Sequence, residues 1–298
     1  MSISTVIVDP LIKEQIKPLR PAISRKIPVP LRIQPRSGRV QLVGIAFDYL
    51  LRFELQQRSA KAWGPHWVAD HAPEMLRRAH RSEVQLRVQN PEGGPPLLSP
   101  PPGGFQKASR RAQKVLDAAR DAVADYLIGG TPTPNLSELA AHALRIARLD
   151  LIYRAGFVDP DFDRADLEDI EDLLAMLAAV PFNELAINRR ILLNPTFGSA
   201  SLAVGGGDAD LIIGDLLLDV KTTKQDTIRA EFLDQLFGYF LLARQAHRDD
   251  RRFPKIRRVG LYFARHAFLC VMDTKEWTGN PAFPETEKWF FERAKALT

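Results

Sequence analysis

The chain has 298 residues, 45% of them hydrophobic, enough for a real core in one large or two small domains. Its formal charge of +5 and pI near 9.4 favour a polyanionic partner, with nucleic acid the natural candidate, although charge speaks to steering and not to fold. One cysteine, Cys270, excludes an internal disulfide and a Cys-rich zinc site; no apolar run approaches the ~18 to 20 residues that span a bilayer and no signal-peptide core opens the chain, so no membrane role and a cytoplasmic location are expected.

Residues 1 to 40 are Pro-punctuated and carry eight basic residues against two acidic ones. Such a segment suits an arm lying along a phosphate backbone, and equally a solvated, partly flexible terminus. From Val43 to Arg58 the apolar spacing predicts a helix, on which Asp48 and Arg52 stand as an i,i+4 pair; Arg52 either pairs locally with Asp48 or reaches a phosphate. Residues 59 to 89 continue as helical, aromatic and basic sequence with Trp63, Trp67, Arg77, Arg78, Arg81 and Arg87. Core tryptophans beside a solvated basic face explain that texture, as does a single-strand path of stacking rings and cations. Histidines 66, 71 and 80 lack H-E-x-x-H spacing, so no zinc site is expected. The Pro/Gly-rich stretch Asn90 to Gly104 cannot continue a helix and reads as an exposed loop or linker. Helices are then expected from about Phe105 to Ile128 and from about Ser137, where Ser137 and Glu138 favour an N-terminus.

Past Arg154 the texture changes. Asp166 to Val180 reads as an amphipathic helix offering Glu168, Glu171 and Asp172, Ala186 to Leu193 as a strand, and Asn194-Pro195 as a turn. Leu211-Ile212-Ile213 and Leu216-Leu217-Leu218 flank Gly214-Asp215, a hairpin signal. A two-residue turn then pairs Ile213 with Leu216, Ile212 with Leu217, Leu211 with Leu218, and Asp210 with Asp219, placing two carboxylates side by side. By alternation Lys221 shares the face of Asp219, Val220 points the other way towards the core, and Asp208 comes opposite Lys221. Two acids with a nearby amine make a hard, oxygen-rich vicinity suited to a Mg²⁺-type ion. A largely buried helix follows from about Ile228 to His247, on which Glu231, Gln235 and Tyr239 share a face. Strands are expected near Ile256 to Ala264 and Ala267 to Met272, and a last helix from about Glu285.

The order Asp210, then Asp219-Val220-Lys221, then a helix with Gln235-x-x-x-Tyr239, resembles the PD-(D/E)XK nuclease superfamily, in particular the branch that includes the RecB nuclease domain and lambda exonuclease. The resemblance covers roughly residues 165 to 272. It implies an α/β fold, a restriction-endonuclease-like core of a mixed sheet flanked by helices, here with a mostly α-helical N-terminal region. It also implies Asp210 and Asp219 as ligands of Mg²⁺ or Mn²⁺, with the Val220 carbonyl as a third, Lys221 as the catalytic lysine, and Gln235 and Tyr239 as accessory residues. The family further carries an acid on a preceding helix, for which Glu171 is chosen by spacing and Glu184 is a contender. Relatives with an iron–sulfur cluster use four cysteines, which this chain lacks.

A second triplet, Asp273-Thr274-Lys275, has neither the acidic hairpin partner nor the Gln-x-x-x-Tyr helix and serves as an internal control. There is no G-x-x-x-x-G-K-[ST] phosphate loop and no G-x-S-x-G elbow. A basic cluster, Arg248, Arg251, Arg252, Lys255, Arg257 and Arg258, either lines a groove or belongs to a solvated loop. The expected organisation is a basic arm (1–40), a helical region with its Pro/Gly loop at 90–104 (41–160) and a nuclease core (161–298). The expected function is metal-dependent hydrolysis of DNA phosphodiesters, exonuclease-like, with a protein partner or oligomer left open. The competing readings are a nuclease-like nucleic-acid-binding subunit without cleavage and a restriction-type endonuclease.

Overall fold

The computed structural model describes residues 3–64, 66–90, 94–129, 135–185 and 189–297. Through the first half of the chain the elements are helices α1 (Ile3–Val6), α2 (Pro10–Ile16) and α3 (Val40–Arg58), strand β1 (Ala62–Trp63), α4 (Ala72–His80), β2 (Arg87–Val88), α5 (Gly104–Ile128), α6 (Leu136–Ala155) and β3 (Phe157–Val158). Then come α7 (Leu167–Ala178), α8 (Phe182–Leu185), β4 (Ile191–Leu193), α9 (Ser199–Ala203), β5 (Leu211–Ile213), β6 (Leu216–Lys221), α10 (Ala230–Asp249), β7 (Arg258–Phe263), β8 (Phe268–Asp273), α11 (Lys275–Thr278) and α12 (Phe283–Leu297). Part of the expected strand from Ala186, residues 186–188, lies outside the described residues, as do 91–93 of the Pro/Gly loop.

These elements form two compact units, one of Met1–Arg32, Lys61–Gly64 and Pro181–Thr298, the other of Ile33–Ala60 and Pro65–Val180. The first is α/β. Its sheet has six strands in the order β1-β4-β5-β6-β7-β8, parallel at β1/β4 and β6/β7 and antiparallel elsewhere, and helices flank it. β6 lies between β5 and β7 with Leu216, Leu217 and Leu218 all buried, which is why its sequence is an unbroken apolar run without polar alternation. The hairpin has the expected three-pair register, Leu211 with Leu218, Ile212 with Leu217 and Ile213 with Leu216. Gly214 enters the turn at φ +62°, a conformation that favours glycine.

Helix α10 links β6 to β7 and is buried nearly all round, as its apolar circumference requires. One core joins Leu192, Ile212, Leu217, Val259, Leu261 and Phe263 of the sheet to Phe232, Leu233, Leu236, Phe237 and Phe240 of α10, and to Phe290 and Ala294 of α12. The N-terminal residues belong to the same core, which corrects the expectation of an arm. Ile3, Val6, Ile7, Ile12, Ile16, Leu19 and Ile27 are buried in it, because apolar residues three and four apart put a greasy face on each short helix. A Cβ on Gly238 would sit 3.1 Å from Ile3 Cδ1, so glycine lets α1 lie close on α10.

The second unit is helical, with α3 on α6, α4 on α5, α5 on α6, and α7 on both α3 and α6; β2 and β3 add a short parallel pair. Helix α7 therefore groups with the helices before it, whereas the expected core began at residue 161, before α7. Residues 59 to 89 are less helical than expected: among the described residues of that stretch only α4 is α-helix, and Trp63 is exposed on the sheet's edge strand. The start of α6 is capped by the Asn135 side chain, which accepts from Glu138 N at 2.8 Å, and not by Ser137. Arg52 pairs with Asp48, the local alternative, and stacks 4.3 Å above the Tyr49 ring.

Candidate active site

Alternation along β6 puts Leu217, Asp219 and Lys221 on one face. It is the face covered by α10, since Leu217 shares a core with that helix. Val220 points the opposite way, as expected, but it is only half-buried; the principal core lies on the acid face. The cause is that the crossover helix carries the larger apolar surface and lies on the Asp219 side.

Asp219 is 2% exposed, and Lys221 Nζ stands 2.7 Å from its Oδ2. The amine also donates to Gln235 Oε1 at 2.8 Å and sits 5.0 Å over the Phe232 ring centre. Gln235 Nε2 in turn donates to Tyr239 Oη at 3.1 Å, and Tyr239 stacks on Phe197 at 6.2 Å. The i,i+4 spacing on α10 thus forms a relay from Tyr239 through Gln235 to the lysine. Lys221 retains 16% side-chain exposure, and Asp208, Asp210 and Gln235 are only partly buried, so the cluster has an opening to solvent.

Asp210 joins this group by another route than cross-strand pairing. The ladder ends at Leu211 and Leu218, and Asp210 lies in a bend before β5, its carbonyl accepting from Asn194 N at 2.9 Å. Its carboxylate Oδ2 accepts the Val220 N–H at 2.6 Å, so its side chain reaches β6 at the residue between Asp219 and Lys221. Asp208 bridges Thr196 and is not paired with Lys221, because the chain has turned towards the β4 side at that point.

Burial pushes the Asp219 carboxyl above its ordinary value, and the charge and hydrogen bonding of Lys221 oppose that rise. Tyr239 is pushed well above the ordinary phenol value by burial first and then by the charges of Asp219, Asp210 and Asp208. Three carboxylates therefore act on one ring, and Asp208, separated from Asp210 by one residue, is the acid that sequence reasoning placed but did not assign. The Asp208-x-Asp210 spacing was its available signal.

Asp219 Oδ2 is buried and faces the Lys221 ammonium at 2.7 Å, an acceptor whose remaining lone pair a bound cation would share. Asp210 and Asp219 supply hard oxygen donors suited to Mg²⁺ or Mn²⁺; Val220, expected to offer its carbonyl, gives its N–H to Asp210. Among the described residues, no group of three or more His, Cys, Asp or Glu side chains is gathered closely enough to hold an ion together. Mg²⁺ keeps several waters, so two carboxylates do not by themselves exclude it.

Glu171, expected as the upstream acid, belongs to the helical unit, where it is exposed and pairs with Arg36 at 2.8 Å. The buried acids of α7 are Asp169 and Asp172, contrary to a wholly solvated charge face; Asp169 binds Arg39 Nε at 2.7 Å. Glu184 and Glu231 are exposed. In the control triplet, Asp273 Oδ1 accepts from Lys275 N at 2.8 Å and turns the chain into α11, a structural role. Of the basic cluster at 248–258, Arg248 binds Glu287, Arg252 binds Asp250 and Arg258 binds Asp215. No helix among the described residues is long and apolar enough to cross a membrane. Searches of family models, curated proteins and solved structures found no match for this chain.

Proposed function

We propose that this chain is a divalent-metal-dependent nuclease of the PD-(D/E)XK type, RecB and lambda-exonuclease-like, hydrolysing DNA phosphodiesters. The observation that carries the reading is the Lys221 amine, held between Asp219 Oδ2 (2.7 Å) and Gln235 Oε1 (2.8 Å) beside Asp210. A strand and the helix that follows it together fix one amine next to a pair of acids, which a surface ion pair does not require.

Asp210 and Asp219 would hold the ion, which when bound supplies Lewis acidity towards the phosphate oxygen and makes its water a stronger nucleophile at neutral pH. Lys221 would orient the attacking water and place positive charge where the phosphorane-like charge develops. Gln235 fixes the rotamer of Lys221, and Tyr239 fixes Gln235. Tyr239 stays protonated, since burial and three carboxylates disfavour its phenolate.

A non-cleaving, nucleic-acid-binding role is the second reading, favoured by the absence among the described residues of a third clustered metal-binding side chain. Incubation of the purified chain with linear, closed circular and single-stranded DNA and with RNA, in Mg²⁺, Mn²⁺ or chelator, separates them. Asp210→Ala and Lys221→Ala are each expected to lower cleavage by about 10²-fold or more while the fold persists. Digestion at the parental rate by either variant removes the mechanism. Cutting of closed circles at fixed positions would instead assign a restriction-type endonuclease.

A further inference from the structure

After Lys221 the chain runs through residues 222–229 into α10, and a strap from the N-terminal segment is laced onto this loop. Lys26 bridges Thr227 in antiparallel fashion, Ile27 N donates to Asp226 O at 2.7 Å and Ile228 N to Arg25 O at 2.6 Å. Farther along, Arg32 N donates to Arg265 O at 3.0 Å, while the Arg265 guanidinium binds Thr222 O at 2.8 Å. Buried Ile27 and Ile228 anchor the lacing in the core. Backbone bonds and apolar side chains thus hold the strap in place, leaving its cations free for another purpose.

Those cations are Arg25, Lys26 and Arg32 on the strap and Lys224 and Arg229 on the loop, facing only Asp226 and Glu231 as nearby acids in the two segments and the first turn of α10. Lys26, Arg32, Lys224 and Arg229 are exposed, and among the described residues none of the five has a carboxylate partner. Arg25 Nη1 is buried with no acceptor. Many arginines elsewhere have carboxylate partners: Arg77 and Arg81 at Glu74, Arg111 at Asp163, Arg244 and Arg248 at Glu287. Lys224 lies three residues beyond Lys221, so their Cα atoms are at most about 11 Å apart. An uncompensated cationic rim next to a carboxylate cluster attracts a polyanion while the acids repel it, and that combination holds a phosphate backbone beside the cluster without burying it there.

We propose that the strap and the loop beneath it form a clamp for the phosphate backbone of a nucleic-acid strand, with Arg25, Lys26, Arg32, Lys224 and Arg229 as its contacts. The identity of the polyanion rests on the nuclease reading; the clamp itself rests on the lacing and the unpaired charge. It contacts phosphates and reads no base, so binding is independent of sequence and strongly dependent on salt.

The test is fluorescence anisotropy with labelled single-stranded and duplex DNA, on the full chain in chelator so that binding is measured without cleavage, from about 50 to about 200 mM salt. Lys26→Ala combined with Lys224→Ala is expected to fold like the parent, since neither side chain anchors the strap. It should flatten the slope of log K against log salt by about 1.4 for the single strand or about 1.8 for the duplex. A matched control, Lys107→Ala with Lys114→Ala on exposed positions of α5, removes the same charge and is expected to leave the slope unchanged. An unchanged slope in the strap variant, an equal loss in the control, or a parent that binds no DNA overturns the clamp. A parent that binds through the strap but never cuts in Mg²⁺ or Mn²⁺ retires the nuclease reading alone. One that cuts while the strap variant binds normally retires the clamp alone.

Discussion

Asp219 illustrates what one residue is asked to tolerate. A carboxylate 2% exposed on the core face of a sheet is costly to ionise, and its counter-charge, Lys221, is shared with Gln235. A cation bound by Asp210 and Asp219 would relieve that cost, so Mg²⁺ or Mn²⁺ is expected to raise the melting temperature of the parent and not of Asp219→Asn. Equal shifts in both proteins would show that the ion acts elsewhere. Gln235→Ala tests the relay: Lys221 keeps Asp219 but loses its second anchor, and kcat is expected to fall about tenfold or more with little change in KM. A rise in KM at constant kcat would make Gln235 a substrate contact instead. At this scale strand alternation placed Asp219 and Lys221 on one face and helical spacing placed Gln235 with Tyr239, while the resemblance supplied the expectation that these two sets and Asp210 meet. Whether Glu171 belongs with them was beyond such rules, and its carboxylate is occupied by Arg36.

Among the elements, the β5–β6 hairpin was legible to the residue. Gly214-Asp215 defines the turn and the turn defines the register for three pairs. The fourth pair failed because Asp210 sits where the chain leaves the ladder, its carbonyl bound by Asn194, a residue of a different turn. Helix α2 shows a cap the sequence reading passed over. Asp9 Oδ1 accepts from Leu11 N and Ile12 N, both at 3.1 Å, and its carboxylate also binds Arg293 of α12 at 2.8 Å. That hydrogen bond to Arg293 holds the Asp9 carboxyl below its ordinary value of 3.8. Ionised Asp9 therefore favours the folded chain above that value, and the benefit disappears as pH falls through the lowered one. Asp9→Asn keeps the cap and is expected to cost up to about 1 kcal/mol. Asp9→Ala loses both contacts and should cost about 1–2 kcal/mol. Denaturant midpoints near neutral pH and well below pH 3.8 check this; a cost for Asp9→Asn that persists in acid argues against the ion pair.

For the molecule as a whole, the main difference from the sequence reading is the place of residues 1–32. Their basic, Pro-punctuated composition resembles that of an arm, yet Ile3, Val6, Ile7, Ile12, Ile16, Leu19 and Ile27 fill the core of the α/β unit. Burial of each is worth ~1.5–3 kcal/mol, so together they rival the whole stability of an ordinary domain. A chain beginning at Ile33 is accordingly expected to lose cooperative melting of its α/β unit; retention of a sharp transition at the parental temperature would return these residues to the status of an arm. The sequence by itself determined the α/β class and the three-pair hairpin register, since each follows from period and turn chemistry within a few residues. Only the tertiary structure decided which sheet face α10 covers, how Asp210 reaches β6, which arginines have carboxylate partners and where the N-terminal strap lies. Those outcomes depend on contacts between residues from ten to more than two hundred positions apart, where the many apolar and charged residues offer alternatives that local patterning does not rank.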